Sequence, residues 1–246
     1  YEISCSLVGS EMCIRDRIGP NGAGKTTIMK TLLGLTKFTG SITFNNQPIT
    51  ANNHKALQNV GALIENPAIY PFLSGKDNLS LYSTDKGEVA ELITKLQMNS
   101  YIQRQAKSYS IGMKQKLGIA LALLNHPQFV ILDEPMNGLD PIGIYEMREY
   151  LVNLCKEGNT TVFISSHILS EIEQIADVIG VMNHGRLLEE ESITDLHKRL
   201  RRYAEYEVSN VEYVFSLLKE RLDVSEILID SKNRIRLFGK EMHRIE

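Results

Sequence analysis

The nine residues Gly19-Pro20-Asn21-Gly22-Ala23-Gly24-Lys25-Thr26-Thr27 constrain this chain more than any other stretch. They match the pattern G-x-x-x-x-G-K-[ST] and run directly into Gly24 to Leu35, whose apolar spacing predicts a helix. Glycines let the backbone curl until successive N–H groups point inward, and the helix N-terminus adds its partial positive charge. Such a loop cradles the phosphates of a nucleotide. Gly19, Asn21, Gly22, Ala23, Gly24, Lys25, Thr26 and Thr27 are therefore candidate binding residues. Lys25 is expected on the β- and γ-phosphates, and the Thr26 hydroxyl on Mg2+. A loop of this kind hangs between a strand and a helix, which points to an α/β fold.

A second element narrows the chemistry. Phe129-Val130-Ile131-Leu132-Asp133-Glu134-Pro135 is an apolar run that delivers two carboxylates to its C-terminal end, where ligands gather in open parallel sheets. Asp133 is a candidate for the magnesium shell, and Glu134 for polarising an attacking water. The pair of motifs indicates a nucleoside triphosphatase. The rest of the pattern alternates strands with helices, as a mostly parallel sheet covered on both faces requires. Helical spacing or caps mark Glu88 to Met98, Ser110 to Leu124 and Pro141 to Cys155. Strand-like runs occupy Ser41 to Phe44, Thr160 to Ser165 and Val178 to Met182. Beyond Ser192 a charged helix and short strands suggest a small appendage.

Composition sets outer limits. A chain of 246 residues with 43% hydrophobic content supports one sizeable core, and a net charge of -3 gives no broad positive field for a polyanion. Nucleic acid is not expected as a partner. The richest apolar stretch, Leu117 to Leu124, contains Gly118 and falls far short of the roughly 20 residues that span a membrane. Cys5, Cys13 and Cys155 show no paired spacing, so neither a disulfide framework nor a zinc site is indicated.

The segment before the phosphate loop reads Cys13-Ile14-Arg15-Asp16-Arg17-Ile18, although a strand entering such a loop is normally buried on both faces and nearly all apolar. Leu7 to Arg17 resembles a translated transposon-end sequencing adapter. Residues 1–17 are accordingly expected to be non-native and to stay out of a well-packed central strand.

Further residues fall into register with these motifs. Tyr109-Ser110-Ile111-Gly112-Met113-Lys114-Gln115 opens a helix ahead of Phe129, Asn137-Gly138-Leu139-Asp140 follows Glu134, and His167 follows the strand Thr160 to Ser165. On these residues the chain from Ile18 to Glu191 resembles the ATP-binding-cassette (ABC) ATPases. The resemblance implies a P-loop nucleoside triphosphatase of the ABC type: a mostly parallel sheet, a helical signature subdomain, and here a small α+β C-terminal appendage. The cassette is expected over 18–200 and the appendage over 201–246, cut short at its end. ATP and Mg2+ are the implied cofactors. Glu134, His167 and Lys25 are the implied catalytic set, with His167 contacting the γ-phosphate. Ser110 and Gly112 would close over the phosphate held by a second ATPase subunit, and Asp140 would reach across that interface. Ile111 and Met113 stand where the family signature has glycine and glutamine. The aromatic residue that stacks on adenine in the family lies upstream of the loop, in the region that the suspected adapter replaces, so it is expected to be missing here.

Gly61-Ala62-Leu63-Ile64-Glu65-Asn66-Pro67 occupies the position where the family carries a glutamine that contacts magnesium. Glu65 is thus a third candidate metal ligand beside Thr26 and Asp133. That glutamate and the run Ser110 to Lys116 resemble ATPases of bacitracin-resistance and lantibiotic-immunity exporters. The resemblance implies multi-span permease subunits as partners, met around Asn66 to Tyr82, and a peripheral place on the cytoplasmic face of the membrane. The alternatives are a generic ABC-2-type multidrug exporter, or a soluble ABC ATPase acting on ribosomes or DNA.

Overall fold

The computed structural model describes residues 14–45, 47–50, 55–157, 160–199, 203–208, 210–219, 227–230 and 234–238. Expectations that concern residues 1–13 and 239–246 lie outside that set. In chain order the elements are β1 (Ile14–Ile18), α1 (Lys25–Leu32), β2 (Thr43–Phe44), β3 (Gln47–Pro48), β4 (Val60–Leu63), α2 (Gly75–Ser80), α3 (Lys86–Lys95) and α4 (Ile111–Leu123). There follow β5 (Phe129–Asp133), α5 (Pro141–Glu157), β6 (Thr161–Ser166), α6 (Leu169–Ile172), β7 (Val178–Asn183), β8 (Arg186–Ser192), α7 (Ile193–Arg199), β9 (Tyr203–Glu207), α8 (Val211–Leu218), β10 (Ile227–Asp230) and β11 (Arg234–Phe238). The chain divides into two units, Tyr1–Ile193 and Thr194–Glu246.

The first unit is built on a six-stranded sheet in the order β4-β5-β6-β1-β7-β8. All neighbours are parallel except the β7–β8 hairpin. Every residue of β5 is buried, which is why its sequence is apolar up to the carboxylate. Met29 and Leu32 of α1 pack over Phe129, Ile131 and Phe163, with Ile42, Phe44 and Ile49 closing the cluster. Burial of side chains of this size is worth roughly 1.5–3 kcal/mol each, so α1 is fixed firmly against β5 and β6. On the other side of β5, α4 lies directly on β4. A Cβ at Gly61 would fall 1.7 Å from the Ala122 carbonyl oxygen, and one at Gly118 would fall 2.7 Å from Pro67. Gly61 and Gly118 are therefore what let these elements touch.

The boundaries shift modestly from the expected ones. Helix α1 ends at Leu32, and Gly34, at φ 68°, turns the chain where Leu35 had been expected to continue it. Strand β8 escaped notice because as an edge strand it is exposed and reads RLLEEES.

One expectation does not hold. Residues 14–18 do form the central strand, paired in parallel with β6 on one side and β7 on the other. Backbone pairing sets this place regardless of side chain, and two of the three charges find a partner in the edge strand β8, one strand beyond β7. Arg15 Nη1 lies 3.2 Å from Glu190 Oε1, and Arg17 Nη2 lies 3.0 Å from Glu190 Oε2. Asp16 finds none. It is fully buried, and neither carboxyl oxygen has a hydrogen-bond partner. Burial pushes its pKa from 3.8 to about 8, against the opposing pull of the adjacent Arg17.

The second unit contains a three-stranded antiparallel sheet in the order β10-β11-β9, with α8 packed on β10 and β11. This second unit begins at Thr194.

Candidate functional site

The phosphate loop joins β1 to α1. Gly22 and Gly24 adopt φ 82° and 99°, left-handed conformations that the curl requires and that other residues resist. The loop is pinned to the β7–β8 turn: Gly185 N donates to Ala23 O at 2.9 Å, and a Cβ at Gly24 would lie 3.1 Å from Gly185 Cα. A Cβ at Gly19 would lie 2.4 Å from the Met182 carbonyl oxygen. His184 and Gly185, at φ 47° and 73°, make the tight two-residue turn that brings this contact about. Gly185 was not among the expected site residues, although a His-Gly pair between two strand segments is a hairpin signal.

Lys25, the first residue of α1, is buried and folds back over the loop. Its Nζ donates to Gly19 O at 2.6 Å and to Pro20 O at 3.4 Å, and lies 3.7 Å from Glu134 Oε1. The next residue, Thr26, donates its hydroxyl to Asp133 Oδ2 at 2.7 Å. A hydroxyl and a carboxylate held together at the mouth of a phosphate loop are the hard-oxygen donors that suit Mg2+, which keeps most of its shell for water and substrate phosphates. The donor set fits that ion.

Beyond Asp133 the chain turns sharply at Glu134, φ 49°. The turn swings its carboxylate between Lys25 and His167, whose Nδ1 lies 2.8 Å from Glu134 Oε2. Lys25, Thr26, Asp133, Glu134 and His167 therefore form one connected cluster. Ser165, which the sequence analysis passed over as strand, bridges the acidic pair: its hydroxyl donates to Asp133 Oδ1 and accepts from Glu134 N at 3.1 Å. The parallel register Asp133↔Ser165 puts it there. Gln115 donates from Nε2 to Glu134 O at 3.2 Å.

Ser110 and Gly112 lie at the start of α4, where Gly112 approaches the loop that leads to Asp140. Ser110 caps α4, accepting from Met113 N at 3.2 Å, and a Cβ at Gly112 would fall 2.6 Å from the Gly138 carbonyl oxygen. Asp140 accepts from Gly143 N at 2.9 Å and so starts α5. Glu65 pairs with a residue of α1. Its Oε1 accepts from Lys30 Nζ, one helical turn beyond Thr26, at 2.6 Å.

Residues 15–137 match the family described as ABC transporter. The bacitracin transport ATP-binding protein of Enterococcus faecalis is 42% identical over 235 residues, 93% of this chain and 76% of that protein. The chain belongs to the ABC transporter family. It is an ATP-binding cassette with ATP hydrolase activity, and the same family appears in two further comparisons. The lantibiotic transport ATP-binding protein of Streptococcus pyogenes is 46% identical over 176 residues, 70% of this chain and 75% of that one. A solved ATP-binding subunit of an ABC transporter superposes with TM-score 0.68 at 27% identity, covering 76% of this chain and 82% of that one. Among the described residues of this cassette, no helix is long and apolar enough to cross a membrane.

Proposed function

We propose that this cassette hydrolyses Mg-ATP to drive a partner permease that exports an antimicrobial peptide of the bacitracin or lantibiotic type, in resistance or self-protection. The connected cluster of Lys25, Thr26, Asp133, Glu134 and His167 carries the hydrolytic part of this reading. The cargo class rests on the relatives named above.

Each residue has a distinct task. The N–H groups of Gly22, Gly24, Lys25, Thr26 and Thr27 bind the β- and γ-phosphates of ATP, while Ala23 N–H closes the loop on Pro20 O. Lys25 exchanges its loop carbonyls for phosphate oxygens, a charge-assisted contact in place of a neutral one. Thr26 and Asp133 would hold Mg2+, which when bound supplies charge neutralisation across the β- and γ-phosphate oxygens. Glu134 Oε1 takes a proton from the water attacking the γ-phosphate, and His167 holds the other carboxylate oxygen in line. Ser110, at the capped N-terminus of α4, and Asp140, at the start of α5, belong to the face that meets a second ATPase subunit. Ile111 in the same region is 75% exposed, large for an apolar side chain with no partner subunit over it.

Glu65 links nucleotide to permease. It is held by Lys30 of α1, and a bound magnesium would draw the carboxylate toward the phosphates. It opens the segment that exposes Tyr70, Phe72, Leu81 and Tyr82, a suitable seat for a permease segment at the cytoplasmic face of the membrane. Reconstitution of the chain with its neighbouring permease in a Gram-positive host tests the cargo. Resistance to bacitracin or a lantibiotic should rise and depend on Glu134. Resistance to unrelated dyes alone would favour a generic ABC-2-type exporter.

A further inference from the structure

Glu134 sits at φ 49°, a left-handed conformation that a residue with a side chain avoids unless its surroundings impose it. Pro135 makes this harder, because a proline pushes the preceding residue toward extended backbone. Yet the conformation decides where the carboxylate points, and it points between Lys25 and His167.

Two buried side chains from different elements grip the two ends of this residue. Ser165 on β6, fully buried, accepts from the Glu134 N–H at 3.1 Å. Gln115 on α4, also buried, donates to the Glu134 carbonyl at 3.2 Å. Fixing both the N–H and the C=O of one residue fixes its φ and ψ together. Buried polar groups of this kind cannot trade these bonds for water, so the grip is stronger than the same bonds at a surface.

We propose that Ser165 and Gln115 are positioning residues that hold the Glu134 backbone in the left-handed conformation, and so aim its carboxylate at the attacking water. Gln115 further ties that aim to α4, the helix whose N-terminus carries Ser110 and Gly112. The proposal rests on Glu134 being the general base. Ser165 also touches Asp133, whereas Gln115 touches Glu134 alone among the acidic pair, so Gln115 isolates the effect.

The test uses the full chain and compares Ser165→Ala, Gln115→Met and Glu134→Gln, singly and with each positioning variant combined with Glu134→Gln. ATP affinity is measured by a fluorescent nucleotide and turnover by phosphate release. Both alterations remove a hydrogen bond without adding bulk. Misaiming a reacting group by less than 1 Å is expected to lower kcat about tenfold or more while the Kd for ATP stays within about twofold. In the Glu134→Gln background neither change should lower turnover further, because there is no base left to aim. Parent-like kcat in either single variant, or an equal fold-loss in both backgrounds, would overturn the positioning role. Parent-like hydrolysis by Glu134→Gln alone would instead overturn the base assignment, and the proposal with it.

Discussion

Replacing Asp16 with alanine should stabilise the chain and remove much of its pH dependence between pH 5 and 8. The carboxyl is fully buried in the central strand with no hydrogen-bond partner, and burial raises its pKa from 3.8 to about 8. Arg17 and Lys25 pull the pKa down and Glu134 pushes it up, but burial outweighs them. The folded state therefore binds this proton more tightly than the unfolded chain does. The folded form is favoured in full below about pH 4, and the advantage is lost as pH rises toward 8. At about 1.4 kcal/mol for each pH unit, the loss between pH 5 and 8 is on the order of 4 kcal/mol, a large share of the 5–15 kcal/mol that holds a typical domain. Urea unfolding at pH 5, 6.5 and 8, followed by circular dichroism, measures it. The parent midpoint should fall steeply over that range, and the Asp16→Ala midpoint should fall far less and lie higher at pH 8. Parallel pH profiles would refute the reasoning. A gain in stability would also fit the reading of residues 1–17 as a foreign segment, since a native strand in this place has no use for an unpaired carboxylate.

Glu134→Gln should keep ATP binding and lower turnover by roughly two orders of magnitude, the usual scale for losing a positioned base, as read by phosphate release. Lys25→Ala should weaken nucleotide binding itself, seen as a raised Kd for a fluorescent ATP analogue, because its charge is the one aimed over the loop. Glu65→Gln should leave ATP affinity within about twofold but raise the magnesium concentration for half-maximal hydrolysis, by analogy with the weaker pull of Mg2+ on a neutral oxygen. An unchanged magnesium midpoint would leave Glu65 as a partner of Lys30 only.

What the sequence determined alone was chemistry held in short, local patterns. The phosphate loop, the Asp133-Glu134 pair and the Ser110 cap are each written in a few adjacent residues, because backbone curl, strand ending and helix start are local events. The order of strand and helix segments likewise gave the parallel α/β class. Contacts that join distant segments were decided only in the tertiary structure. Ser165 became part of the site through its register with Asp133, 32 residues away, and Gln115 by reaching across from α4. Gly185 entered through a hairpin that touches the phosphate loop. Lys30 claimed Glu65 because helix and strand end lie side by side. The charged strand Ile14–Ile18 shows the same division in reverse. Its residues argue against burial, yet the gap between β6 and β7 takes whatever backbone is offered, leaving Asp16 to bear the cost.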